Sequence, residues 1–357
     1  MSRGDIRVGF VGSGFARRVQ LPGLALVPGT KAVAIASAHR ANAEAAAREF
    51  GLPHVFSDGV ELAQSPEVDL VVVSSTPDSH ARYAIAALEA GKHVLCEKPM
   101  AIDAFEAAQM VTASAQHPDS IAWLDHELCY EPNRRRAREL IRSNALGELR
   151  HVELSLKPYV RGDGRPQALA GPWNWWADAA RGGGILGAVG SHLIDLFRYW
   201  TGSDVTYVAG LVDTFVKERG DESGQARPVT ADDFASAVLR AASGAVATIT
   251  LSTVAHHGPG HLGQVTGSAG TLLLRGETQL EFGKSGGPLE DVSVPDELWD
   301  KTQPNNMWAR SFVRLMRDLA QVIRGGTPQG EPATFSDGWQ VQRVLDAIRG
   351  GRGVRLD

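Results

Sequence analysis

The chain has 357 residues, enough for about two domains at ~150 residues each. A formal net charge of −5 argues against a general polyanion binder, and no apolar run reaches the ~18 residues of a membrane span. Two cysteines, Cys96 and Cys129, make neither a disulfide framework nor a CxxC pair, and no signal peptide precedes the first strand, so the chain reads as cytoplasmic.

The first third alternates in type. Residues 6–11 and 31–37 read as strands and 42–50 as an alanine-rich helix. Residues 70–74 form an uninterrupted apolar run, as expected of a central parallel strand covered on both faces. A helix over 79–90 ends at Gly91 as its C-cap. Residues 93–96 are the next strand, Asp103 N-caps a helix to about 115, and 121–124 is the last strand. This grammar predicts a doubly wound parallel sheet over residues 1–124.

After about residue 125 the pattern changes. A helix over 133–143 precedes a half-buried strand at 150–156, a Trp-rich loop at 173–176, a glycine run and an apolar helix to Trp200. Antiparallel strands are expected at 207–215, 234–241, 245–253, 263–266 and 271–275, with a charged hairpin tip at 217–227. Helices at 307–324 and 336–349 close the chain. Residues 125–357 therefore read as an α+β domain with a large open, mainly antiparallel sheet, whose uncovered face predicts a homodimer or homotetramer.

Four constellations carry chemistry. Gly12-Ser13-Gly14-Phe15-Ala16-Arg17 follows a strand and opens a helix, the setting of a dinucleotide turn. Gly12 permits the turn and Gly14 lets backbone approach a pyrophosphate at the helix N-terminus, although Arg17 stands where a third glycine is usual. The second strand ends in Ser37-Ala38-His39-Arg40 without an acid for a ribose 2′-hydroxyl, so Ser37 and Arg40 favour NADP over NAD. Ser75, Thr76, Pro77 and His80 follow the central strand, and Glu97-Lys98-Pro99 follows the next. Both lie at carboxyl ends of parallel strands, where open α/β sheets bind ligands, and a cis bond at Pro99 would fix Lys98. Lys98 beside a cofactor and Glu97 can polarise or protonate a substrate oxygen. Gly182-Gly183-Gly184 then lets backbone pass close to a ligand and enters the helix bearing His192 and Asp195. These two share a face at i and i+3, so Asp195 could orient the imidazole. His256, His257 and His261 lack partners at ligand spacing, and no metal site is expected.

Together, the fingerprint, Ser-Thr-Pro-Asp-x-His, Ala-Gly-Lys-His-Val-Leu-Cys-Glu-Lys-Pro, Gly-Gly-Gly…Gly-Ser-His-Leu-Ile-Asp and Phe335-Ser336-Asp337-Gly338 resemble the Gfo/Idh/MocA oxidoreductases over nearly the whole chain. The resemblance implies an N-terminal Rossmann domain and a C-terminal open-sheet domain. It implies hydride transfer between NAD(P) and a CH–OH carbon of a sugar, cyclitol or related molecule held in a cleft between the domains. It maps the catalytic lysine to Lys98 and the catalytic histidine to His192. Apart from the resemblance, Trp173, Trp175 and Trp176 offer flat apolar faces on which a sugar ring could stack, and His126 and Trp175 are candidate substrate contacts. The family's usual Asp four residues before the histidine is Ala188 here, its frequent Trp-Arg before the glycine run reads Trp175-Trp176, and an arginine common at the start of the second domain is Cys129. Two other readings follow: a cofactor-binding relative without turnover, acting as a sensor or partner, and a relative that uses bound NAD to cleave glycosides.

Overall fold

The computed structural model describes residues 4–158, 168 and 171–356. Contacts divide the chain into two units, one reaching to Glu131 and including Glu297–Trp339, the other Pro132–Asp296 with Gln340–Asp357.

The first unit is built on six parallel strands: β1 Ile6–Val11, β2 Thr30–Ala36, β3 His54–Phe56, β4 Leu70–Val73, β5 His93–Cys96 and β6 Ala122–Leu124. Their order is β3-β2-β1-β4-β5-β6, the doubly wound order expected of the alternating sequence. The helices are α1 Leu21–Leu24, α2 Arg40–Phe50, α3 Gly59–Gln64, α4 His80–Glu89 and α5 Ala104–Gln116. The sequence reading contains neither β3 nor α3; both are short and weakly patterned. Period-2 alternation splits the strand side chains between two cores. Ile6, Val8, Phe10, Leu70 and Val72 pack on one face, and Val11, Val71, Val73 and Val94 on the other.

The second unit begins with α6 Pro132–Arg142 and β7 Leu149–Lys157, followed by α7 Ser191–Thr201 and β8 Val205–Asp213. The charged stretch is the hairpin expected, β9 Glu218–Gly220 against β10 Ala226–Pro228. Next come β11 Phe234–Ala241, β12 Val246–Ser252, β13 Gly260–Gly267, β14 Gly270–Arg275, β15 Gln279–Lys284 and β16 Glu290–Asp291. After α8 Met307–Ile323 and α9 Phe335–Arg349, the short β17 Val354–Arg355 pairs with β8. The large sheet has nine strands in the order β16-β15-β14-β13-β7-β12-β11-β8-β17. It is antiparallel except where β12 runs parallel to β7.

The units follow packing rather than chain order. Phe312, Leu315 and Leu319 of α8, with Tyr130, share a core with Phe10 and Val72. Contacts thus group residues 125–131 and 297–339 with the first unit, whereas the sequence reading divides the chain once, after 124. Among the described residues no helix is long and apolar enough to cross a membrane.

Candidate active site

The carboxyl edge of the parallel sheet is a row of equivalent positions. The first residue past each strand donates its amide to the last carbonyl of the neighbouring strand. Gly12 N reaches Ala36 O at 2.8 Å, Ser74 N reaches Val11 O at 2.7 Å, Glu97 N reaches Val73 O at 2.8 Å and Asp125 N reaches Cys96 O at 2.7 Å. Gly12, Ser74, Glu97 and Asp125 therefore stand side by side along the edge where such sheets take ligands.

The glycines of the first turn have different reasons. Gly12 has φ +104°, and a Cβ there would lie 2.6 Å from Ser75 N and closer still to Ser74 O. It is glycine because the neighbouring strand end demands it. Among the described residues nothing lies within 4 Å of a Cβ at Gly14, so that position is open to a ligand and fits the close approach of a pyrophosphate. Phe15 is half-buried and Ala16 buried behind it. Ser13 Oγ and Ser37 Oγ are 3.0 Å apart, tying the turn to the end of β2. Arg17, in the third-glycine place, pairs with Glu49 of α2 at 2.5 Å, and the exposed Arg40 pairs with Glu44 one turn on at 2.8 Å.

After β4, Ser75 and Thr76 are half-buried and Pro77 is buried. Ser79 Oγ donates to Thr76 O and accepts from Ser75 Oγ, each at 2.8 Å. His80 is buried, with Nδ1 3.0 Å from Pro99 O and Nε2 3.1 Å from Ser75 O. It staples the loop after β4 to the loop after β5. Burial pulls its pKa down, and the carbonyls oppose this.

The Lys98–Pro99 peptide is cis. Lys98 is half-buried, its Nζ 5.7 Å from the ring centroid of Trp308 on α8. Behind it lie three buried acids, Glu97, Asp125 and Glu127. Gln20, fully buried, joins two of them: Nε2 donates to Glu97 Oε1 at 2.9 Å and to Asp125 Oδ2 at 3.2 Å, while Oε1 accepts from Ser74 Oγ. Glu97 Oε2 accepts from Lys98 N at 3.2 Å. Burial raises all three acids, Asp125 and Glu127 well above the usual carboxyl range. The Lys98 charge and a hydrogen bond from Asp125 pull Glu97 back down. Asp125 Oδ1 meets no hydrogen-bond partner among the described residues. His126, next in sequence, is buried. Sequence reasoning missed Gln20, Asp125, Glu127 and Trp308; for Asp125 a signal existed, namely its place as the first residue past a strand.

Trp175, His192 and Asp195 belong to the second unit. His192 and Asp195 are both buried on α7, and Asp195 Oδ1 lies 3.9 Å from Arg198 Nη1 on the next turn. Arg198 is in turn bound to Asp204 at 2.6 Å. The glycine run is crowded by the protein itself, in contrast to the ligand approach expected of it. A Cβ at Gly183 would lie 2.5 Å from Trp175 O and 2.7 Å from Asp178 O, and one at Gly184, φ +105°, would strike the Asp232 carboxylate. Asp232 accepts from Leu186 N at 2.7 Å and so anchors the entry to α7. Trp175 and Trp176 are tilted neighbours with centroids 5.7 Å apart, whereas Trp173 is engaged by the hairpin through Nε1 to Pro228 O at 2.9 Å and Arg227 over its ring. Among the described residues no group of three His, Cys, Asp or Glu is set to hold a metal ion.

An open parallel sheet in this order, with a glycine turn at its first carboxyl end and a lysine on a loop two strands away, defines a nicotinamide-nucleotide-binding oxidoreductase fold. Residues 6–126 match the oxidoreductase family's NAD-binding Rossmann fold, and residues 134–273 match the GFO/IDH/MocA C-terminal domain. The chain belongs to the Gfo/Idh/MocA oxidoreductase family. It is 31% identical over 329 residues to glucose-fructose oxidoreductase domain-containing protein 2 of Xenopus laevis, covering 86% of this chain and 82% of that one. It resembles the crystal structure of an oxidoreductase domain protein from Kribbella flavida, with TM-score 0.85, 27% identity and 99% and 100% of the two chains covered. It also shares its fold with levoglucosan dehydrogenase in complex with NADH and L-sorbose, at TM-score 0.86, 23% identity and 99% of each chain.

Proposed function

We propose that this chain is an NAD(P)-dependent oxidoreductase that moves a hydride between nicotinamide and a CH–OH or C=O carbon of a sugar, cyclitol or related polyhydroxylated molecule. The observation that carries the reading is the row of strand ends. It sets the open Gly14 turn and Lys98, backed by buried Glu97, on one carboxyl edge of one sheet. The levoglucosan dehydrogenase whose fold it shares was solved with NADH and a sugar, which favours the same substrate class.

Bound nicotinamide would accept or supply the hydride. Gly12 and Gly14 would cradle its pyrophosphate, with Phe15, Ala16, Ser75, Thr76, Pro77 and His80 forming or bracing the walls. Ser37 and Arg40, with no acid at the end of β2, favour NADP over NAD. Lys98 hydrogen-bonds the substrate oxygen and stabilises its developing negative charge. In oxidation the C–H bond gives up its pair as hydride, and the O–H proton passes to His192. Asp195 orients that ring, and His126 and Trp175 bind the substrate. Exposed Tyr207, Leu211 and Val238 lie on adjacent strands of the large sheet and support a homodimer or homotetramer through that face. The buried free cysteines Cys96 and Cys129 suit a cytoplasmic protein.

A melting-temperature panel with NADH and NADPH, then with polyols and keto-sugars added, tests the reading. Turnover on a substrate so found should fall at least about tenfold in Lys98→Ala and in His192→Ala. Wild-type turnover in both variants would overturn it. One observation favours a second reading, binding without turnover: the buried Ala188 where the family carries an acid. Tight NADPH binding with no reaction across the panel would select that reading.

A further inference from the structure

We propose that Gln20 is a positioning residue of the oxidoreductase site, clasping the ends of β4, β5 and β6 so that Glu97 is held as the counter-ion of Lys98. The inference rests on the reading of Lys98 as the reactive lysine. Three of the four strand-end residues, Ser74, Glu97 and Asp125, meet this one amide. Ser74 donates to its oxygen, and its nitrogen spends both hydrogens on the two acids, at 2.9 Å and 3.2 Å. The orientation of the amide is therefore dictated. Ser74 fixes which end is oxygen, and the acids fix which end is nitrogen. Glu97 is left with one oxygen on Gln20 and the other on the Lys98 backbone amide, so both carboxylate oxygens are fixed at the root of the lysine.

Local structure delivers Gln20 to this point. The helix that Gly14 begins runs into a π turn, Ala16–Gln20, in which Leu21 N bonds Ala16 O five residues back. Gln20 is the last residue of that turn and is fully buried. The same segment that begins at the dinucleotide turn thus ends inside the acid row behind Lys98. A leucine or methionine would fill the space equally well and bring no hydrogen bonds. A buried amide with every polar atom spent on the site is placed there for orientation.

The test compares wild type, Gln20→Met and Ser74→Ala, without cofactor or substrate. Each protein is acetylated briefly with a succinimidyl ester at fixed pH, and peptide mass spectrometry reads the labelling rate of Lys98 against the other six of the seven lysines. Loosening Glu97 should raise the relative rate at Lys98 at least about threefold in Gln20→Met and less in Ser74→Ala, with the other lysines unchanged. NADH affinity should stay within about twofold, while kcat on the substrate falls at least about tenfold with KM little changed. A Lys98 rate unchanged in both folded variants overturns the proposal, as does raised labelling with wild-type kcat. If Gln20→Met does not fold, Ser74→Ala decides by the same criterion. The labelling arm needs no turnover, so an inactive wild type would count against the oxidoreductase reading without touching the clasp.

Discussion

The two glycines of the first turn make opposite predictions for the same mutation. Gly12→Ala places a Cβ 2.6 Å from Ser75 N, inside the limit of real Cβ contacts, at φ +104°. Backbone strain of about 1–3 kcal/mol adds to about 1–3 kcal/mol for overpacking a rigid strand end. At 2–4 °C per kcal/mol for a domain of this size, the apo protein should melt at least about 4 °C lower. Gly14→Ala meets nothing within 4 Å among the described residues. Gly14 begins a helix, so the alanine should stabilise the apo protein by about 0.4–1 kcal/mol, or 1–4 °C. The cost appears only with ligand. If pyrophosphate approaches that backbone, the methyl should weaken dinucleotide binding at least about tenfold, or 1.4 kcal/mol. At a ligand concentration of 100 times the wild-type Kd, ligand stabilisation would fall from about 2.7 to about 1.4 kcal/mol, halving the shift in Tm. Thermal melts with and without NADH or NADPH, backed by a fluorescence titration, read all these quantities. A Gly14→Ala protein that binds dinucleotide like wild type would refute the placement of the pyrophosphate. A Gly12→Ala protein with wild-type Tm would refute the crowding argument.

Asp125→Asn should leave Tm near wild type at pH 5 and raise it by at least about 2 °C at pH 8, the shift expected of ~1 kcal/mol. The sign follows because burial and the neighbouring Glu127 and Glu97 charges raise Asp125 in the folded state. Folded protein then binds more protons than unfolded above the ordinary carboxyl range, and stability falls as pH rises through the folded value. Buried His80 and His261 are shifted down, so they cost stability as pH falls below about 6.5, but both proteins share them and the difference isolates the acid. Asp232→Ala removes the acceptor of Leu186 N and should lower Tm by several degrees, since a hydrogen bond to a charged group contributes about 1.5–3 kcal/mol; Asp232→Asn, which keeps an acceptor, should lose less. Arg40→Glu should weaken NADPH at least about tenfold in a fluorescence titration and spare NADH, and equal loss of both would refute the 2′-phosphate role.

The parallel half of the fold was legible because burial on both faces writes an unbroken apolar run. Leu70–Val73 names a central strand on sight, and its neighbours follow from alternation with helices. His54–Phe56 carries no such run and is only half-buried, so its strand comes from pairing with β2 and not from composition. The candidate site divides in the same way. Gly12, Gly14, Glu97 and Lys98 stand in motifs whose spacing has a mechanical reason. Asp125 and Gln20 are 105 residues apart and meet only because β6 ends beside β5. Their partnership is a property of strand order, which local pattern does not encode. The glycine run shows the converse: its composition suggested ligand approach, and the crowding atoms prove to be the protein's own carbonyls and Asp232.

A common irregularity explains why helix arithmetic misleads in each of the two units. The helix after the glycine turn and the helix bearing His192 each run into a π turn, with Leu21 N bonded to Ala16 O and Ser191 N to Leu186 O. A π turn spends five residues where an α turn spends four, so every later side chain is rotated from the position an α-helical count assigns. Buried Gln20 is the last residue of the first of these turns. Ala188, counted four back from His192, lies inside the other π turn, so a straight-helix count does not describe how the two face each other. It is also almost fully buried, and an acid there would need a partner to offset its desolvation. An acid proposed at 188 would therefore bear on packing as well as on any proton transfer. Its meaning for catalysis has to be judged with the π turn in place, not from a helical wheel.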